Sequence, residues 1–357
     1  MKKLMLYYHI PFCLSKCAYC AFFSKPCIDE DTKEAYKCAL IKQTKSFNDE
    51  GYTVTSVYFG GGTPTVMGCK ALCEVLSAVK SSFTLADDAE ITVEANPKTV
   101  DLNGLTALRK AGFNRLSLGA QSFNDKTLTL LGRAHNSADF VACFNDARHA
   151  GFDNISADLI FALPNETKAE FLNSLNTLIS LSPEHISVYG LSLETGTRLY
   201  NERANYIFPD ENAEEAQYTA LCELLAKAGY EHYEISNFAK EGYESRHNSG
   251  YWQRVPYVGF GASAHSFFED KRFSLPSDIE GFISSPEERI DVEEIDPDSA
   301  EEERIMLGLR LAEGIEYDAE SVPQYLFDKG LIKKNGQRIA LTEKGFRVSN
   351  RIISMLI

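Results

Sequence analysis

Over the first two hundred residues, short β-rich apolar runs alternate with longer runs that are apolar on one side only. This rhythm sets strands and helices in turn. Strands are expected over 5–10, 56–59, 89–95, 115–119, 154–160 and 185–191, with helices over 31–49, 70–82, 102–110, 138–149 and 168–181. A strand–helix–strand rhythm implies a parallel sheet, because each crossover needs a helix to return the chain. A weak repeat marks the units: Ala111-Gly112-Phe113, Ala150-Gly151-Phe152 and Ala228-Gly229-Tyr230 each end a helical run before a strand. Glycine just past a helix takes the left-handed cap conformation, and the aromatic packs back on the helix. Six such units are too few for a complete eight-fold barrel.

Beyond about residue 200 the alternation breaks. A charged helical run over 210–227 leads to HYEISNF, then to SRHNSGYWQRVPYVGFGASAHSF. Positions 287–303 carry ten acidic residues against one basic residue, Arg289, and are expected to be a solvated linker or helix face. In the tail, helices are expected over 301–311 and 318–329 and a strand over 338–341. A last helix over 342–353 would start from Thr342 as its N-cap. The chain divides accordingly into 1–200, 201–285 and 286–357.

In parallel β/α folds the chemistry gathers beyond the carboxyl ends of the strands. The unusual residues fall there. A cysteine loop follows the first strand and Gly60-Gly61-Gly62-Thr63-Pro64 the second. Glu94-Ala95-Asn96-Pro97 ends the third, Gln121-Ser122-Phe123 follows the fourth, Asp158 lies in the fifth and 189–194 closes the sixth.

The cysteine loop is Tyr7 to Ser24, YYHIPFCLSKCAYCAFFS, with Cys13, Cys17 and Cys20 three and then two residues apart. Thiolates are soft ligands suited to zinc or an iron–sulfur cluster. Structural zinc and an ordinary cubane both want four protein ligands, whereas this loop supplies three and the next cysteine is Cys27. Three ligands would leave one iron open; a zinc knuckle or a chance grouping is the alternative. The spacing CxxxCxxC, Tyr7-x-His9-Ile10-Pro11-Phe12 before it and Tyr19 within it resemble the coproporphyrinogen-oxidase branch of the radical S-adenosylmethionine (SAM) superfamily. That branch holds oxygen-independent coproporphyrinogen III oxidases and HemW-type heme chaperones. The resemblance spans nearly the whole chain. It implies a partial (β/α)6 barrel with a C-terminal extension and a small helical, winged-helix-like domain.

The resemblance also implies a [4Fe–4S] cluster on Cys13, Cys17 and Cys20, with SAM on the open iron and Tyr7 and Tyr19 flanking. Gly61, Gly62 and Thr63 match the turn whose backbone holds SAM's amino group. Glu94, Gln121, Arg133 and Asp158 match positions of SAM contacts. Arg133 suits the carboxylate, and the two acids suit the ammonium or the ribose hydroxyls. Taken singly, each would read as a surface charge. HNSGYW, from His247 to the only tryptophan, Trp252, matches a motif linked to heme handling in the chaperones. His247, then His265, are the candidate heme ligands, and a buried turn with a hydrogen-bonding core histidine is the structural alternative.

Three features favour a heme chaperone that passes heme to an acceptor protein over an oxidase. Phe22 stands where the oxidases carry a further cysteine. Cys13 lies too near the start for their N-terminal cover, and HNSGYW is present. Composition adds exclusions. A net charge of −15 speaks against a nucleic-acid surface, and no apolar run approaches a membrane span. The apolar start runs straight into the cysteine loop with no cleavage site, so a cytoplasmic location is expected. The remaining cysteines are scattered and suit core positions.

Overall fold

In the computed structural model the described residues are 2–26, 28–47 and 50–357, and among them twelve strands join in one sheet. The six expected strands form its centre: β1 (Lys2–Ile10), β2 (Tyr52–Gly61), β3 (Leu85–Ala95), β4 (Arg115–Gln121), β5 (Ile155–Phe161) and β6 (His185–Gly190). They lie side by side in chain order and all neighbours are parallel. Both edges are extended. β7 (Glu231–Glu234) and β8 (Asn237–Ala239) continue beyond β6, with β8 antiparallel to it. Beyond β1 come β9 (Tyr257–Phe260), β10 (His265–Phe268), β11 (Lys271–Ser274) and β12 (Ile290–Glu294). β9 is parallel to β1, so the parallel run gains a seventh strand that the sequence pattern did not announce.

The crossover helices are α1 (Glu30–Ser46), α2 (Cys69–Ser82), α3 (Leu102–Ala111), α4 (Ser137–His149) and α5 (Lys168–Leu181); α6 (Glu211–Lys227) leads into β7, and α7 (Arg246–Trp252) lies between β8 and β9. Except for α2, whose N-cap is Gly68, their starts are fixed by side chains that answer the first free N–H groups. Asn136 with Asp139, and Thr167 with Glu170, make reciprocal capping boxes. The repeat behaves as expected: Gly112, Gly151 and Gly229 all have positive φ. Phe113, Phe152 and Tyr230 each donate their N–H five residues back, to Leu108, Ala147 and Leu225. All three rings are buried, which locks each helix end onto the next strand. The end of the expected 31–49 helix, at Asp49, lies outside the described residues, as does Cys27.

The strands are polar toward the lumen and apolar outward. Val57, Phe59, Ile91, Val93, Leu116 and Leu118 belong to the main core under the helices. The alternate positions, Tyr58, Thr92, Glu94, Ser117, Asp158 and Ser187, line a small polar void inside the barrel. A period of two is what a strand dictates; the unusual feature is a polar interior.

The tail has its own core around Ile305, Leu309, Ile339, Leu341 and Ile352. It holds α8 (Pro297–Gly308) and a three-stranded sheet of Ile315–Glu316, Arg338–Leu341 and Ile332–Asn335. Two expectations shorten. The 318–329 helix contracts to Gln324–Asp328, behind Pro323, and the last helix splits into Glu343–Phe346 and Ser349–Ile353. Thr342 does cap it, accepting from the Gly345 N–H. The acidic stretch is neither linker nor helix throughout: Ile290–Glu294 is an exposed edge strand, and the residues from Pro297 on belong to α8.

Candidate functional site

A cavity of about 610 Å³ opens at the carboxyl ends of β1–β6. Cys13, Cys17, Cys20, Tyr19, Gly61, Gly62, Thr63, Glu94, Gln121, Arg133 and Asp158 all line it. The cysteine loop is held over the barrel by the glycine turn. The Gly62 and Thr63 N–H groups donate to the Ile10 and Phe12 carbonyls at 2.9 and 2.7 Å. A Cβ on Gly62 would stand 2.7 Å from the Phe12 carbonyl oxygen, and Gly61 has φ of 110° with a Cβ position 2.6 Å from the His9 ring. The turn is glycine because the loop sits directly on it. With its N–H groups spent, the backbone of the turn offers a ligand acceptors only, which suits an ammonium group.

Arg133 lies across the cavity floor. Nη1 donates to Cys17 Sγ at 3.4 Å, and Nη2 to Asn96 Oδ1 and to the Gly119 carbonyl at 3.0 Å. Its Nε is buried with no protein partner. Glu94 accepts from the Tyr58 hydroxyl at 2.7 Å, and burial pushes its carboxyl up to about 7. Asp158 accepts from Ser117 at 3.2 Å, and burial pushes it up to about 6. Burial likewise raises the Cys13 and Cys20 thiols. Neither acid makes an ion pair with a described residue, so both are poised for a ligand that brings donors or positive charge.

Tyr7 does not reach this cavity; its hydroxyl bonds to His9 Nδ1 at 3.1 Å and its ring stacks on Tyr58. Sequence reasoning placed Asn96 at a strand end but gave it no role, and missed Ser117 and His135 as wall residues. Asn96 also donates to Thr63 Oγ1 at 2.7 Å, so it ties the glycine turn to Arg133. His135 is kept neutral, pushed down to about 4 by burial and then by Arg133. Its signal was present in the Arg133-Ala134-His135 triplet.

HNSGYW forms most of α7 (Arg246–Trp252), a short helix capped by Ser245. His247 is buried, 1% exposed. Its Nδ1 meets Ser56 Oγ at 2.8 Å and its Nε2 the Tyr251 hydroxyl at 3.0 Å. Both nitrogens are therefore engaged, which is the core role the sequence left open; a free imidazole for heme iron is not what this ring offers. His265 is exposed at the start of β10. Tyr251 and Trp252 instead line a second cavity of about 480 Å³, along with Tyr257, Phe267, Arg254 and Arg272. Trp252 Nε1 donates to Glu234 at 2.9 Å, and Glu303 holds Arg254 at 3.0 Å and Arg272 at 2.6 Å.

The open barrel with this loop after its first strand defines the class, and residues 7–178 match the radical SAM superfamily. Membership implies a [4Fe–4S] cluster and SAM. The chain is 32% identical to "Heme chaperone HemW" of Lactococcus lactis subsp. lactis (strain IL1403), covering 98% of this chain and 96% of that one. It is 34% identical to "Heme chaperone HemW" of Bacillus subtilis (strain 168), covering 98% of each. The chain belongs to the HemW heme chaperone family. Among solved structures, coproporphyrinogen III oxidase (HemN) from Escherichia coli superposes with a TM-score of 0.86 at 22% identity, over 99% of this chain and 90% of that one. That likeness is one of fold.

The residues present fit the two groups the superfamily implies. Three soft donors share one wall, the orphaned Arg133 Nε faces a need for an anion, and the volume lies in the range of about 300–1,000 Å³ typical of small-ligand sites. Among the described residues no three His, Cys, Asp or Glu side chains are already closed on one metal position. Metal binding and the final ordering of a ligand loop commonly go together.

Proposed function

We propose that this protein is a heme chaperone, which binds heme and delivers it to an acceptor protein while carrying a [4Fe–4S] cluster and SAM in the first cavity. Cys13, Cys17 and Cys20 hold the cluster as thiolates. Arg133 takes SAM's carboxylate, the Gly61–Gly62–Thr63 turn its ammonium, and Glu94 and Asp158 accept from its hydroxyls. Gln121 and Tyr19 close the walls. When bound, such a cluster supplies one-electron chemistry to SAM. The single observation that carries the reading is identity of 32% and 34%, across 98% of this chain, with relatives named heme chaperone.

The oxidase alternative shares the fold but calls for a further cysteine, and this chain has Phe22 in its place, 71% exposed and lining the cavity. Anaerobic reconstitution with iron and sulfide, followed by heme titration and a coproporphyrinogen III turnover assay, tests the reading. Heme binding without turnover is the expected result. Turnover at enzymatic rates, about 1 per second or more, would replace it with the oxidase.

A further inference from the structure

One side chain of the first cavity is bonded to both groups that would meet the amino acid end of SAM. Asn96 is the first residue beyond β3, and its backbone is clamped. The Thr99 hydroxyl donates to the Asn96 carbonyl at 2.6 Å and accepts from the Asn96 N–H at 3.3 Å. Thr99 also meets the Thr65 hydroxyl at 2.5 Å, just past the glycine turn. Pro97 follows and disfavours helical backbone at Asn96. The amide is held in place before any ligand arrives.

Its two ends point to different partners. Oδ1 accepts from Arg133 Nη2, and a guanidinium only donates, so Nδ2 is the end that donates to Thr63 Oγ1 at 2.7 Å. Each partner reaches a cysteine of the loop. Thr63 Oγ1 lies 3.9 Å from Cys13 Sγ, and Arg133 Nη1 lies 3.4 Å from Cys17 Sγ. Cys13, Thr63, Asn96, Arg133 and Cys17 therefore form one chain of polar contacts with the amide at its centre. Gly119 makes room for it, since a Cβ there would stand 2.7 Å from Asn96 Oδ1 and 3.1 Å from Arg133 Nη2. Arg133 Nε keeps a donor with no protein partner.

An α-amino acid carries its ammonium and carboxylate on one carbon, so their two contacts must stand at a fixed separation. We propose that Asn96 is the positioning residue that sets this separation, holding Arg133 against the glycine turn and so selecting ligands with an intact α-amino acid group. The proposal rests on reading the first cavity as the SAM site and adds what enforces selection there. Without the amide, Arg133 keeps its charge but loses its anchor, and must be reordered when a carboxylate binds. The turn itself stays, because its N–H bonds to the Ile10 and Phe12 carbonyls do not involve Asn96.

The full chain, reconstituted with its cluster, is titrated calorimetrically with SAM and with decarboxylated SAM, which keeps the ammonium and lacks the carboxylate. Asn96→Ala is expected to bind SAM about tenfold more weakly and decarboxylated SAM within about twofold of wild type. Asn96→Asp keeps the shape of asparagine but sets a competing carboxylate on Arg133. It should lose more SAM affinity than Asn96→Ala and bind decarboxylated SAM at least as tightly as wild type. Asn96→Ala/Arg133→Ala should bind SAM within about twofold of Arg133→Ala alone, because the first residue acts through the second. Equal weakening of both ligands, which a merely structural asparagine would give, overturns the proposal, and so does an additive double variant. Iron is measured in every preparation. If Asn96→Ala loses its cluster, Asn96→Asp carries the comparison, and loss from both makes Asn96 a support of the cysteine loop and overturns the proposal too. All of these leave the SAM site standing. A wild type that binds neither ligand overturns that reading and this proposal together.

Discussion

The two cavities are built in opposite ways. Walls of the first come largely from the loops that follow β1 to β6, taken in chain order around one end of the barrel. Walls of the second come from both edges of the sheet at once: Glu234 and Asn237 beyond β6, Tyr257, Phe267 and Arg272 beyond β1, and α7 between them. α7 bonds to β2 through Ser56 and to β7 through Glu234, so it occupies the gap that an open barrel leaves. The first site is a property of the repeating unit. The second exists only because the barrel fails to close.

If the two are separate, removing a cluster ligand should empty the first and spare the second. Cys17→Ala is expected to abolish the brown chromophore and the bound iron completely, with hemin affinity unchanged within about twofold. Cys69→Ala and Cys143→Ala should retain full iron content, since neither lines the cavity. Iron analysis and visible spectra decide it. Loss of heme binding along with the cluster would break the comparison.

Arg133→Ala is the next largest effect. A charge-assisted bond contributes about 1.5–3 kcal/mol, so SAM should bind about ten- to a hundredfold more weakly. Calorimetric titration of the reconstituted protein measures it, and an unchanged dissociation constant removes Arg133 from the SAM site.

The difference in construction also explains what could be read from the sequence. Parallel β/α units have local signatures, so six strands, five crossover helices and the Ala-Gly-aromatic caps were visible within short windows. The cavity residues Cys13, Gly62, Glu94 and Asp158 were visible because strand ends are where such folds place chemistry. The alternation of Tyr58 with Val57 and Phe59, or of Asp158 with Ala157 and Leu159, was equally visible and would have announced a polar lumen. The second cavity had no such signal. Arg272 and Glu303 are 31 positions apart, Ser56 and His247 are 191 apart, and nothing local joins them. His247 was a candidate heme ligand because its motif matches one linked to heme handling, with a buried, hydrogen-bonding histidine as the alternative. Two non-local partners, Ser56 and the fold that buries it, decide otherwise.

Glu94 sharpens the first cavity by pH. Burial holds its carboxyl near 7, above the usual 4.5, so between those values the folded protein carries a proton that the unfolded chain has lost. Stability from this group is therefore complete below pH 4.5 and is lost as pH rises through 7. SAM, bringing donors and positive charge, favours the ionised form. Its affinity should climb by up to about tenfold per pH unit below 7 and level off above. Glu94→Gln keeps an acceptor but cannot ionise, and should flatten both profiles. A wild-type affinity independent of pH from 5.5 to 8 would place Glu94 away from the ligand.

The smallest expected effect concerns the second cavity alone. Trp252 contributes both a flat wall and an N–H bond to Glu234, and Trp252→Phe keeps part of the first while deleting the second. Glu234 is 1% exposed and burial already pushes its carboxyl up to about 7, so the lost donor makes its ionised form still less favourable. It answers by staying protonated, which limits the damage. The loss should be near that of one ordinary hydrogen bond, about 1 kcal/mol, or about fivefold in hemin affinity. Hemin titration read by absorbance is the measurement, with SAM affinity in the same preparation as control. A shift in SAM affinity as large as the shift for hemin would mean that α7 ties the two cavities into one site, and the barrel gap would then be a shared wall.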